Sequence, residues 1–247
     1  MTEATARADV ARATASRWTL ETVAPVAGLL FALFYGIGAI LEGTPASYDA
    51  TPQEQLDFFV DHRTRLIVSF YLLALAGLFF LVFLGSLWRT FRLVEPAPAW
   101  LSTIALSGGI VYVALGTVRN LFWAAGAFRA NDNLDPDVAR SLYDLAGVFY
   151  TAWLGLVAFL LASAVLILRT GVLPRLLGWL AVVVAPLAAA AGFPTPHGDP
   201  PLYAIVLTDA SGAAHIGGFL LFIALVSLVL LRRAWLGLPA TGSARPS

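Results

Sequence analysis

Hydrophobic and polar positions along the chain divide it into six long apolar runs separated by shorter polar segments. Each run holds about 20 residues, the length that an α-helix needs to cross about 30 Å of hydrocarbon. β-Strands are usually only about 4–8 residues long, and an open sheet edge is not tolerated in lipid. The pattern therefore predicts six transmembrane helices, approximately at residues 22–41, 66–88, 101–123, 146–168, 174–192 and 211–231.

One polar segment, residues 52–62, carries the signals of an additional short helix. Thr51 stands where a helix N-cap is expected, Pro52 suits the first helical position, and Glu54 completes a capping box. The apolar positions that follow are predicted to share one side of this helix and are Leu56, Phe59 and Val60. The segment is therefore predicted to be an amphipathic helix lying on the membrane surface.

The composition supports a membrane location. Of 247 residues, 59% are hydrophobic and only 12% are charged, and the mean hydropathy is +0.81. Soluble domains contain about 25% charged residues. The chain has no cysteine, which excludes disulfides and thiolate nucleophiles, and no basic cluster interleaved with aromatic residues indicates nucleic-acid binding. We therefore predict an all-α polytopic membrane helix bundle with the lipid bilayer as its partner, no nucleic acid and no cofactor.

The distribution of arginine predicts the orientation of the helices. With the N-terminus in the cytoplasm, ten of the fifteen basic residues fall inside and five outside, as the positive-inside rule requires. The five outer ones are Arg63, Arg65, Arg119, Arg129 and Arg140. The chain thus divides into a cytoplasmic tail (1–21), a six-helix domain (22–232) and a second cytoplasmic tail (233–247). The predicted location is the cytoplasmic membrane, with both termini inside.

Three short segments resemble a known family. Residues 169–178 read Arg-Thr-Gly-Val-Leu-Pro-Arg-Leu-Leu-Gly and are similar to a basic residue and "GxLPRxLG" segment between helices four and five of that family. Arg65-Leu-Ile-Val at the start of helix two and Glu42 at the end of helix one are similar to positions in it. The family consists of six-helix bacterial membrane proteins and is a domain of unknown function. The resemblance covers most of residues 22–232 and implies a fold and a location, with no reaction.

Polar groups gather at the predicted outer ends of the helices, where each is costly unless it is paired or reaches water. The candidate residues of this outer cluster are Glu42, Arg65, Arg119, Asn120, Asp144, Asp209, Ser211 and His215. Arg119 and His215 are predicted to point into the bundle within reach of a carboxylate, with Asp144 as first choice and Glu42 as second. The cluster is either a polar vestibule or an ion-pair network that tethers helix ends, and no metal site is predicted in it.

Helical spacing places further polar residues beside the outer cluster. Asp135 is expected to cap helix four well outside the lipid. Two stripes at helical spacing are expected to turn away from lipid, namely Thr208 with Ser211 and His215, and Asp137 with Arg140, Asp144 and Thr151.

Three classes of function fit these features. The first is a non-enzymatic envelope component, which needs only the bundle and its outer segments. The second is a small-molecule carrier or binding protein with an outward-opening vestibule, and the third is a membrane enzyme using the outer cluster. The midplanes of helices two and five are nearly featureless, which argues against a carrier. The sequence contains no nucleophile with an obvious base, which argues against an enzyme. We therefore predict the first. The ligand, the oligomeric state and any membrane partner are left open.

Overall fold

The computed structural model describes residues 3–43, 50–130, 133–191 and 209–236, and it is all-α, with no strand among these residues. Its helices, in chain order, are α1 (Glu3–Glu42), α2 (Pro52–Asp61), α3 (Arg63–Arg92), α4 (Trp100–Arg129), α5 (Pro136–Val148), α6 (Ala152–Thr170), α7 (Arg175–Ala191) and α8 (Asp209–Trp235). A 3₁₀ turn at Phe149–Thr151 separates α5 from α6. Five segments are long and apolar enough to cross a membrane, and α7 is a shorter apolar helix.

The five long apolar helices and the shorter α7 form a closed ring in chain order. α1 packs on α3, α3 on α4, α4 on α6, α6 on α7, α7 on α8, and α8 returns to α1. The ring has two ends, which we name after residues that lie there. The Glu42 end holds the C-terminal ends of α1 and α4, and the Arg89 end holds the C-terminal end of α3.

Aromatic side chains fill the centre of the ring. Phe80 of α3 is fully buried and contacts rings from four other helices. These rings are Phe31 of α1, Tyr112 of α4, Phe159 of α6 and Phe219 of α8. Most of these pairs are tilted or edge-to-face, the arrangement that aromatic rings prefer. The bundle is therefore closed across its middle by a layer of packed rings.

Two helices in the ring cross with their backbones in contact. A Cβ atom added at Gly108 of α4 would lie 2.6 Å from the carbonyl oxygen of Gly155 and 2.7 Å from the nitrogen of Phe159 in α6. A Cβ at Gly155 would lie 2.8 Å from the carbonyl oxygen of Gly108. Small residues such as these glycines let the backbones of two membrane helices approach each other this closely.

The short helices α2 and α5 pack on each other and on the end of α4, and together they form an end cap over the Glu42 end of the ring. Its core is a second cluster, in which the rings of Phe58, Phe59, Trp123 and Tyr143 meet at 5.4–6.5 Å between centroids. Phe59 packs against Gly126 of α4, where any side chain would collide with its ring.

The helix bounds differ from the predicted ones mainly at the polar ends. α1 begins at Glu3, within the segment expected to be a polar tail, while α3 and α4 extend past the predicted runs to Arg92 and Arg129. These extensions carry charged residues, so hydrophobicity alone could not reveal them. The capping box of α2 is confirmed: the Thr51 hydroxyl accepts from the Glu54 amide, and the Glu54 carboxylate accepts from the Thr51 amide at 2.7 Å.

The buried face of α2 differs in detail from the prediction. Gln55, Phe58 and Phe59 are buried, whereas Val60 is 42% exposed. The helix packs its aromatic side onto α4 and α5. Contacts with these neighbours therefore decide which face of α2 is buried, and the pattern of apolar positions alone does not. Neither polar atom of the buried Gln55 amide has a hydrogen-bond partner within the part of the chain that the structure describes.

Candidate functional site

The centre of the predicted outer cluster is an ion pair between α1 and α4. Arg119 Nη2 donates to Glu42 Oε1 at 2.6 Å, and the two side chains are only 14% and 16% exposed. Arg119 Nη1 donates to Asn120 Oδ1 at 3.1 Å, and the guanidinium lies 5.1 Å from the centre of the Trp123 ring. A charge-assisted bond of this kind, partly shielded from water, ties the end of α1 to α4.

Asp144, the first choice as partner of Arg119, lies elsewhere. It pairs with Arg140 one turn earlier on α5, with 3.8 Å between Arg140 Nε and Asp144 Oδ2, and its side chain is 52% exposed. The buried face of α5 consists of Ala139, Tyr143 and Ala146, so Asp144 is turned outward. The predicted Arg119–Asp144 pair is therefore wrong, and the second choice, Glu42, is the residue that Arg119 contacts.

The stripe of polar residues on α5 does not line a vestibule. Asp137 and Asp144 are exposed and Arg140 is half-buried, because the alanines and Tyr143 occupy the side that faces the bundle. Asp135 caps α5 as predicted, since its carboxylate accepts from the Asp137 amide at 2.9 Å.

Two arginines at the start of α3 lie beside the ends of neighbouring helices. Arg63 Nε donates to the carbonyl oxygen of Ala127, in the last turn of α4, at 3.1 Å. Arg65 places Nη2 2.7 Å from where a Cβ of Gly43 would stand, just after the end of α1. Gly43 has a positive φ of 72°, which glycine adopts without strain. Both guanidinium groups thus sit at the negative ends of helix dipoles, where a cation is stabilising.

His215 belongs to the aromatic interior of the ring. It is only 3% exposed, and its ring meets that of Trp153 edge-on at 4.6 Å between centroids. Trp153 in turn contacts Tyr112, whose hydroxyl donates to the Tyr35 hydroxyl at 3.0 Å. The prediction that His215 points into the bundle agrees with this burial, while its pairing with a carboxylate stays a prediction.

The remaining candidates fall partly outside what the structure describes. The backbone of Asp209 and Ser211 lies in the first turn of α8, but their side chains, like all of Thr208, are outside the described part. Their membership of the cluster stays a prediction. Among the described residues, no group of three or more His, Cys, Asp or Glu side chains is placed to hold a metal ion.

A small pocket opens beside the ion pair, between α1, α3 and α4. Its volume is about 10 Å³, which is the room taken by roughly one water molecule. Its walls are mainly apolar, and the lining residues are Glu42, Leu66, Ser69, Phe70, Leu73, Asn120 and Trp123. The Ser69 hydroxyl donates to the carbonyl oxygen of Gly38 at 2.8 Å, so its proton is not available to a ligand in the pocket. The geometry thus has room for water and little else.

Comparison with known proteins gives a family. Residues 26–231 match the model of a domain of unknown function, DUF4386. The chain belongs to this family. No curated protein and no solved structure matched the chain. The match begins within α1 and ends in the last turns of α8, so it includes part or all of every helix in the ring, and it agrees with the resemblance found in the sequence.

Residues 169–178, the segment that resembles the family, form the turn between α6 and α7, and its residues are closely packed. Gly171 ends α6 with a positive φ of 65°, and Val172 and Leu173, which follow it, are buried. Arg233 of α8 donates from Nη1 to the carbonyl oxygen of Val172 at 2.6 Å. A Cβ added to Gly178 would lie 2.8 Å from Leu168. The segment is therefore a tight turn that fixes α6, α7 and α8 together.

The sequence analysis missed the role of Glu95 in the loop between α3 and α4. Its carboxylate accepts from the amides of Leu101 and Ser102 at 2.8 and 2.9 Å and so caps the start of α4 from outside the helix. Partial burial raises the pKa of Glu95, but these hydrogen bonds and the charge of Arg92 outweigh it and hold the pKa below its usual value. A loop carboxylate five residues before the helix start has no standard capping spacing, so this cap cannot be recognised from the sequence pattern.

Proposed function

We propose that the chain is a six-span protein of the bacterial cytoplasmic membrane, with both termini in the cytoplasm, and that it is a non-enzymatic component of the cell envelope. α7 supports the sixth span: its 17 residues correspond to about 26 Å, near the lower limit for crossing hydrocarbon. It also occupies one place in the ring, between α6 and α8. An even number of spans leaves the two termini on the same side.

The observation that carries the functional part of the proposal is the closed interior of the bundle. A carrier needs a polar or broken region near the middle of its spans, whereas here Phe80 and its aromatic neighbours occupy that position. An enzyme needs polar groups that reach a substrate, whereas Glu42 and Arg119 are engaged with each other beside a pocket of about 10 Å³. A component that acts by its shape and its outer surface needs neither.

Single-cysteine labelling tests orientation and closure together, because the natural chain has no cysteine. Gln53→Cys places a thiol on the exposed side of α2, Leu93→Cys places one in the loop after α3, and Ser69→Cys places one at the pocket. With a membrane-impermeant maleimide on intact cells, Gln53→Cys is expected to react and Leu93→Cys only after permeabilisation. The reverse pattern would refute the orientation.

The Ser69→Cys variant tests whether the Glu42 end of the bundle is closed to solvent. Ser69 is 2% exposed, so Ser69→Cys is expected to react much more slowly than Gln53→Cys in intact cells and in detergent. A matched core control is Ser163→Cys, because Ser163 is fully buried in α6. If Ser69→Cys reacted as fast as Gln53→Cys while Ser163→Cys stayed protected, an outward-opening vestibule would replace the closed end. The carrier or enzyme hypothesis would then take the place of the envelope component.

A further inference from the structure

A groove runs along the outside of the ring between α1 and α3, towards the Arg89 end. Its volume is about 290 Å³, and the lining residues are Thr22, Val23, Val26, Ala27, Leu30, Phe79 and Val82. Except for Thr22 the lining is apolar. Val23, Val26 and Val82 are 49%, 42% and 43% exposed, so the groove is open sideways. All the lining residues lie within the two segments, Thr22–Glu42 and Arg63–Arg92, that are apolar enough to span a membrane, so the groove faces hydrocarbon.

The register between the two antiparallel helices shows what stands at the end of the groove. Gly28 of α1 lies beside Phe83 of α3, and Gly38 lies beside Leu73, so ten residues forward on α1 correspond to ten residues back on α3. The same register continued by six residues sets Thr22 level with Arg89. The groove therefore ends at the level of an arginine.

Arg89 is available to an anion. Its side chain is exposed, and it forms no salt bridge with any of the side chains that the structure describes. On α3 it lies seven residues after Val82 and so on nearly the same face of the helix. Between these two, Gly85 has no side chain, and a Cβ there would meet nothing within 4 Å. The path from the apolar groove to the guanidinium is therefore open.

We propose that this groove binds one glycerophospholipid with an anionic headgroup, in the leaflet at the Arg89 end. One acyl chain lies along Val26, Leu30 and Val82, and the phosphate pairs with Arg89. The arrangement combines the two features that select an anionic lipid over the bulk bilayer, an apolar channel between helices and a basic residue at its membrane-surface end. The proposal goes beyond the proposed function and does not depend on which side of the membrane is the cytoplasm.

The groove can be filled without disturbing the bundle. In Gly85→Phe the new ring meets no atom near its Cβ and, like other long helical side chains, points back along α3 towards Val82. Gly116→Phe on α4 is the matched control, because a Cβ there also meets nothing within 4 Å and Gly116 is not among the lining residues. Arg175→Gln is the control for Arg89→Gln, since Arg175 is likewise exposed, at the start of α7.

The experiment is native mass spectrometry of the delipidated full chain in detergent, titrated with phosphatidylglycerol or with phosphatidylcholine. The natural chain and both controls are expected to bind one phosphatidylglycerol more tightly than phosphatidylcholine. Arg89→Gln should weaken that first binding about fivefold, as expected for one arginine at a membrane surface. Gly85→Phe should abolish it, and Gly85→Leu serves if the larger residue prevents folding, which thermal unfolding in detergent checks.

Three outcomes would overturn the proposal. The first is equal binding of the two lipids by the natural chain, and the second is unchanged binding of phosphatidylglycerol by Gly85→Phe and Gly85→Leu. The third is that Gly85→Phe removes a dimer instead of a lipid, which would make the groove a contact between two copies of the chain.

Discussion

The crossing of α4 and α6 at Gly108 and Gly155 permits a quantitative test of the fold. Replacing Gly108 with alanine adds one Cβ atom, which would stand 2.6 Å from a backbone oxygen of α6, whereas ordinary contacts begin at 3.4 Å. The obstacle is backbone, so no side chain can rotate away. The helices must therefore separate by roughly 0.8 Å at the crossing, a gap at which dispersion contacts lose about a quarter to a half of their depth.

The size of the effect follows from a comparison within α4. Overpacking of this kind costs about 1–3 kcal/mol, while Gly→Ala in a helix gains up to about 1 kcal/mol in propensity. Gly116→Ala on the same helix receives the propensity gain alone, because nothing lies within 4 Å of its Cβ. The difference between the two variants therefore isolates the crossing and is expected to be about 1–3 kcal/mol in favour of Gly116→Ala.

Thermal unfolding of the purified chain in one detergent measures this difference. At roughly 2–4 °C per kcal/mol for a chain of this size, a 2 kcal/mol difference, the middle of that range, appears as a separation of about 4–8 °C. The double variant with Gly155→Ala should cost less than the two single changes together, because the first separation of the helices makes room for the second Cβ. Equal midpoints for Gly108→Ala and Gly116→Ala would mean that the backbones do not touch.

Three further changes test the ends of the bundle. Arg119→Met should lower the free energy of unfolding by about 1–3 kcal/mol, because it leaves the Glu42 carboxylate, only 16% exposed, without its partner. Adding Glu42→Gln should recover much of the loss, and strict additivity would exclude the pair. Gln55→Met should raise the free energy of unfolding by roughly 1–3 kcal/mol, because it removes a buried amide with no described hydrogen-bond partner. Gln53→Met on the exposed side of α2 is the control, and an equal effect of both variants would contradict this explanation. The folded-state pKa of Glu95 is lowered, so its contribution is complete above its unfolded pKa and is lost as the pH falls through the folded value; Glu95→Gln should flatten this acid loss in a pH series of unfolding midpoints, and an unchanged slope would contradict the cap.

The five segments apolar enough to cross a membrane could be predicted from the sequence, because a long apolar run is a local property. The caps at Thr51 and Asp135 were also predictable, because the capping residue and its partner amide are two or three positions apart. The ends of α3 and α4 were not, since Arg92 and Arg129 extend the helices beyond the apolar runs. The extended end of α4 packs against α2 and α5, and Arg92 at the end of α3 donates to the carbonyl oxygen of Ala99. Hydropathy describes neither contact.

In the outer cluster, too, a contact between helices could not be predicted from the sequence. Charge and depth indicated that Arg119 needs a carboxylate, but the choice between Asp144 and Glu42 depends on which way α5 is turned. That rotation is set by Tyr143, which packs on Trp123 at 5.4 Å between ring centroids. Helical spacing places Asp144 among the polar positions of α5 correctly, yet it cannot say that this face looks outward. Contacts between helices, unlike caps, require the tertiary arrangement.

The closed order of the ring has a consequence for biosynthesis. Ribosomes deliver α1 first and α8 last, so the seam between these two helices is completed only when the rest of the chain is already in the membrane. Until then the interior is one wall short, and Phe80 lacks the ring of Phe219. The seam itself is tight at Gly28 of α1, because a Cβ added there would collide with the hydroxyl of Ser227 of α8. A chain that stops before α8 would therefore leave its aromatic centre open on one side, which makes the arrival of α8 the step that closes the ring.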